Sequence, residues 1–177
     1  MTLSTLLSEA KTDEASIIRS RLKKELGLSS RDVSVKTSQG GYSSSVKVSI
    51  KTKKALAKMQ EIEVIGRGQE EIDRDERTGE ILMGGNTYVF VDIDYKFKSK
   101  IEDEIQKEYI KQKEKSTTNN VVLYGTFEVR GTSNGNDYVG LVKGQGNVEV
   151  RDNNYIGSAI MSLINSSKDD SLYAKIK

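Results

Sequence analysis

Arg31 to Ile50, RDVSVKTSQGGYSSSVKVSI, leaves this chain few ways to fold. Val33, Val35 and Thr37 alternate with Asp32, Ser34 and Lys36; beyond Gly40-Gly41, Val46, Val48 and Ile50 alternate with Ser45, Lys47 and Ser49. A period of two places one set on each face of a strand, and Gly-Gly supplies the positive φ of a tight reversal. The stretch reads as a hairpin with one apolar face, which must be covered by something else in the chain.

The flanks offer the cover. Thr2 to Lys11 reads as a short helix or loose arm. Thr12 is an N-cap candidate for a helix whose stripe is Ile17, Ile18, Leu22 and Leu26 and whose stop is Gly27. Laid on the hairpin, it would bury Ile18, Leu22 and Leu26 against Val33, Val35, Val46 and Val48. Lys53 to about Ile65 reads as a second helix with Leu56, Met59 and Ile62 inward, ended by Gly66 and Gly68. Gln69 to Glu80 is acidic, and Ile81-Leu82-Met83 is expected to pair briefly. Thr87 to Tyr95, TYVFVDIDY, is a strand whose YVFV is apolar on both sides and suits a buried position. Ser99 to Lys115 is a charged helix with Ile101, Ile105, Tyr109 and Gln112 on one face; Ser116 to Asn120 is a linker. Val121–Arg130 and Tyr138–Arg151 are strands around a Gly131–Asp137 loop, the second split at Gly140, Gly144 and Gly146. Asn154 to Asn165 is an amphipathic helix, and the final SSKDDSLYAKIK reads as frayed. The fold class is α+β: a helix–hairpin–helix–strand module over 1–96, a helix and linker over 97–120, and a smaller hairpin–helix region over 121–177.

Composition narrows the chemistry. Without cysteine or histidine, disulfides, thiolate catalysis, cysteine-ligated zinc and the commonest general base are excluded. With 35% apolar and 31% charged residues, a modest core under a charged surface is expected. No apolar run approaches a membrane span. The first residues carry no basic segment ahead of an apolar core, so no secretory leader is expected and a cytoplasmic location is. The net charge of +2 hides a segregation: residues 1–60 hold twelve Lys/Arg against five Asp/Glu, and residues 61–80 three against eight. The two blocks can bind each other or face different partners.

Four constellations invite chemistry. Glu71, Asp73 and Asp75, in an acidic run from Glu70 to Glu80, would hold Mg²⁺ if they converged, as phosphodiester cleavage requires; otherwise they form a solvated loop. Lys36, Lys47, Lys51, Lys53, Lys54, Lys58 and Arg74 would track a phosphate backbone if they share an edge, with Tyr42 and Tyr88 stacking on an unpaired base; otherwise they are ordinary solubilising cations. Gly40-Gly41 and Gly84-Gly85-Asn86 match neither a P-loop nor a dinucleotide fingerprint and read as turns. Ser45 and Lys47 have the parity of a Ser–Lys pair, a spacing common in any strand.

The helix carrying Arg19, Leu22 and Lys23, the strand Val33–Lys36, the turn Gly40-Gly41-Tyr42-Ser43, the strand Val46–Ile50 and the later TGEI and GGNTYVFV block occur in one order. Over about residues 13–95 this resembles the large polyvalent protein-associated domains of phages, plasmids and conjugative elements. Ser-Ile stands where many members end the second strand in Ser-Trp, and no Phe-Pro precedes the first strand, as in a divergent branch. With its β-rich tail the chain is similar to anti-CRISPR inhibitors of type II-A systems. The resemblance implies a counter-defence role against an RNA-guided nuclease and its guide RNA. It carries over no catalytic residue. The contact surface expected from the residues is Lys36, Tyr42, Lys47, Lys51, Lys53 and Lys54. Two other functions fit the same residues: a metal-dependent ribonuclease using the carboxylates of 71–75, and a sequence-independent nucleic-acid-binding accessory protein.

Overall fold

The computed structural model describes residues 14–40, 43–82, 85–131, 137–142, 147–150, 155–167 and 169–176. The expected arm at 2–11, the Thr12 cap, Tyr42, Met83-Gly84, most of the 131–137 loop and Gly144 and Gly146 lie outside them. The chain is α+β and divides into two compact units, 1–94 and 95–177.

In the first unit, α1 (Glu14–Leu26) leads through Gly27, at φ 63°, into β1 (Val33–Gly40) and β2 (Ser43–Ile50). The hairpin register pairs Val33 with Ile50 and Gly40 with Ser43. A short α2 (Lys53–Leu56) and α3 (Met59–Arg67) follow, then β3 (Thr87–Ile93). β3 pairs parallel to β2, so the sheet order is β1-β2-β3. Parallel neighbours require a crossover, and the helices with the acidic segment supply it. Ile18, Leu22, Val35, Val46, Val48 and Ile62 are buried, placing both long helices on one face of the sheet.

Three expectations change here. The second helix is two: Thr52 Oγ1 caps α2 by accepting from Ala55 N–H, and the helix ends at Ala57. Gly66 does not stop α3 but lies within it, where an added Cβ would meet Val89 Cγ1 and Val91 Cγ2 at 3.2 Å. β3 is not enclosed: at the sheet edge, Phe90 is 54% exposed. The acidic segment is a largely exposed loop, as expected, and it turns back on itself. Glu71 bridges Thr87 and Arg74 bridges Ile81, which is the brief pairing expected at Ile81.

In the second unit, α4 (Tyr95–Lys115) buries Ile101, Ile105 and Tyr109, the stripe its spacing predicts. The helix set apart as a connector thus contributes core, because it packs on β4 and α5. β4 (Asn120–Leu123), β5 (Phe127–Gly131), β6 (Asp137–Leu141) and β7 (Asn147–Val150) form an antiparallel meander, extending the expected hairpin to four strands. The run after Tyr138 is split, as its glycines predict. At the β4–β5 turn, Tyr124 and Gly125 both have positive φ, 53° and 65°, and Thr126 N–H donates to Leu123 O at 3.0 Å; this is the arrangement of a type I′ turn. α5 (Ile156–Ser167) is buried on Ile156, Ile160, Leu163 and Ile164. The tail is not frayed: Asp170–Lys175 forms a 3₁₀ helix, and Leu172, Tyr173 and Ile176 are buried. Among the described residues, no helix is long and apolar enough to cross a membrane.

Candidate nucleic-acid interface

The helices cover the face of the first sheet that carries Val35, Val46, Val48 and Val89. The residues between them point the other way. Register turns these into three rows across the sheet: Lys36–Lys47–Phe90, Ser38–Ser45–Tyr88 and Ser34–Ser49–Asp92. Lys36, Lys47, Phe90 and Asp92 are exposed; Tyr88, Ser34, Ser45 and Ser49 are half-buried. This face is open.

Its electrostatics are unbalanced. Lys36 and Lys47 are direct cross-strand partners, an arrangement in which like charges repel. Lys47 Nζ lies 3.9 Å from Asp92 Oδ2, with the two side chains 62% and 61% exposed. A pair so exposed and so long is worth little, so the face keeps a positive middle. Beside it sits an exposed phenylalanine ring, paired in register with Lys47. Cation, ring and hydroxyl on one sheet face can hold a phosphate, stack on a base and bond to a sugar or base edge.

The other predicted lysines are elsewhere, at the far end of the hairpin. Lys51 Nζ donates to Ser30 O at 2.8 Å and Lys54 Nζ to Gly27 O at 2.7 Å. Lys58 Nζ donates to Leu26 O at 3.2 Å. Lys54 and Lys58 thus close the carbonyl end of α1, where cations are favoured, while Lys51 ties down the loop between α1 and β1. Lys53 is exposed at the start of α2. Of the six residues expected at the contact surface, Lys36 and Lys47 share the open face, while Lys51, Lys53 and Lys54 belong to the opposite end of the strands. Nearby, the Asp32 carboxylate accepts from Ser29 N–H at 2.9 Å, Ser29 Oγ at 2.8 Å and Thr52 Oγ1 at 3.0 Å. These bonds, the backbone one first, hold its pKa below the ordinary value.

The acidic residues do not form a common site. Glu71 pairs through its backbone with Thr87, and Asp73 N–H donates to Asn86 Oδ1 at 2.7 Å. Asp75 Oδ1 accepts from Arg77 N–H, Thr78 N–H and Thr78 Oγ1 at 2.9, 2.7 and 3.1 Å, and these bonds lower its pKa. Among the described residues, no three of His, Cys, Asp and Glu gather as a group able to hold a metal ion.

Sequence reasoning missed Phe90 because YVFV reads as apolar on both sides. A signal was present: Asp92 shares the parity of Tyr88 and Phe90, and a carboxylate two residues on marks an outward face. In comparisons with known proteins, no family model, no curated protein and no solved structure matches this chain.

Proposed function

We propose that this is a mobile-element counter-defence protein, an anti-CRISPR inhibitor acting in the host cytoplasm on a type II-A RNA-guided nuclease and its guide RNA. The contact surface is the open face of the first sheet. The observation that carries the reading is the outward pair Lys36 and Lys47 at opposed positions of neighbouring strands, unrelieved except by a long contact to Asp92. A polyanion relieves that repulsion, and a positive surface steers its approach. The resemblance of residues 13–95 to domains of phages, plasmids and conjugative elements supports the biological context. For a ribonuclease, the carboxylates of 71, 73 and 75 would have to act together, whereas Asp75 Oδ1 is engaged by its own turn.

The test incubates the full chain with guide RNA, with and without the nuclease, in Mg²⁺ or EDTA. Blocked target cutting or guide loss only when the nuclease is present supports the inhibitor. Cleavage of free RNA that EDTA abolishes replaces it with the ribonuclease. Binding of any nucleic acid without effect on the nuclease replaces it with the accessory protein. Within the inhibitor reading, a Lys36→Gln, Lys47→Gln double variant is expected to weaken inhibition about tenfold or more.

A further inference from the structure

We propose that the open face takes unpaired nucleic acid two bases at a time, one base on Tyr88 and one on Phe90, with phosphates held by Lys36 and Lys47. This deepens the reading of that face as the guide-engaging surface and rests on it.

The spacing selects the ligand. Tyr88 and Phe90 are two residues apart on β3 and point to the same side, so their attachment points are about 6.6 Å apart. Stacked nucleotides rise only about 3.4 Å per step. Two bases resting on separate rings must therefore be unstacked from each other. A single strand reaches that geometry readily, whereas a duplex keeps its base faces covered.

The rows set the direction in which the ligand lies. In the Lys36–Lys47–Phe90 row, the ring is at one edge and the cations lie across β2 and β1. Bases therefore sit over β3 and the backbone over the lysines. In the next row, Ser45 lies beside Tyr88 and Ser38 beyond it on β1, so their hydroxyls would face the sugar and base edges. In the third row, the Asp92 carboxylate repels phosphate and closes that end. Asp92 also competes for Lys47, through a contact a phosphate can displace.

The experiment is fluorescence polarisation of the full chain with three labelled probes: hexauridylate, hexathymidylate and a blunt twelve-base-pair duplex. Both hexamers are expected to bind more tightly than the duplex, and the ratio between them reports RNA against DNA preference. Phe90→Ala and Tyr88→Ala should each weaken hexamer binding about tenfold, while Tyr88→Phe, which keeps the ring, changes it less than about threefold. Lys36→Gln and Lys47→Gln should each reduce the slope of log affinity against log salt by about 0.7. Asp92→Asn should tighten binding, a gain that a misfolded variant does not produce.

Equal binding of duplex and hexamers, unchanged by Phe90→Ala, overturns the stacking platform; so does failure of both hexamers to bind. If nuclease inhibition falls with the lysine variants but not with Phe90→Ala, the platform is overturned and the inhibitor reading stands. If Phe90→Ala abolishes hexamer binding while the unaltered protein leaves the nuclease unhindered, the platform stands and the inhibitor reading fails.

Discussion

Two glycines show how the closeness and kind of the neighbouring atom decide the cost of a substitution. At Gly157, in the first turn of α5, an added Cβ would lie 2.3 Å from Glu102 O and 2.8 Å from Glu102 Cα on α4. Backbone cannot give way as a side chain does, so Gly157→Ala should destabilise the second unit by about 3 kcal/mol, the upper end of typical overpacking; denaturant titration measures it. At Gly66 the obstruction is two valine methyls at 3.2 Å. Alanine there gains about 1 kcal/mol of helix propensity against a comparable packing push. Gly66→Ala is expected to be near neutral, and Gly66→Leu to cost about 1–3 kcal/mol. Asp32 carries a pH dependence. Its folded pKa lies below the unfolded value of roughly 3.9, so the stability it adds is complete above that value and is lost as pH falls through the depressed folded pKa. Asp32→Asn should be less stable than the unaltered chain at neutral pH, and the difference should vanish in acid. Chemical denaturation at two pH values reads this directly.

At the scale of elements, side chains protect both edges of the first sheet. Arg19 Nη2 donates to Val35 O at 2.7 Å on the β1 edge, and Glu70 Oε1 accepts from Val89 N–H at 3.1 Å on the β3 edge. Unpaired edge groups are templates for another strand. Glu70→Ala should cost about 1–2 kcal/mol for a lost charge-assisted bond and make the chain associate with concentration, read by light scattering. Elements were legible in the sequence where one period ruled: the Val33–Ile50 hairpin and the Ile101–Tyr109 stripe stand where alternation and helical spacing put them. They were illegible where burial was decided by a distant partner. YVFV carries no mark of lying at an edge, because 36 residues separate β3 from its neighbour β2. Gly66 looks like a stop until β3 is seen against it. The tail looked frayed because its charged residues hide Leu172, Tyr173 and Ile176, which a 3₁₀ helix turns inward.

For the whole molecule, the sequence conveyed composition and class but not the grouping of charge. Seven net positive charges in residues 1–60 looked like one basic front. The fold divides them, sending Lys54 and Lys58 to the carbonyl end of α1 and Lys51 to the loop after it, and leaving Lys36 and Lys47 on the open face. The tail contributes stability as well. Ending the chain at Ser167 removes three buried apolar side chains and should cost several kcal/mol, at about 1.5–3 kcal/mol each. Faster amide exchange in α5, the element against which the tail packs, would reveal the loss. The parallel pairing of β2 with β3 has a kinetic side. The hairpin closes locally, but β3 must wait until the intervening crossover is in place, since distant contacts repay their loop-closure entropy late. During synthesis the lysines are therefore assembled before the rings. A chain released before residue 88 would present cations with no aromatic partner, and only the finished first unit would carry both.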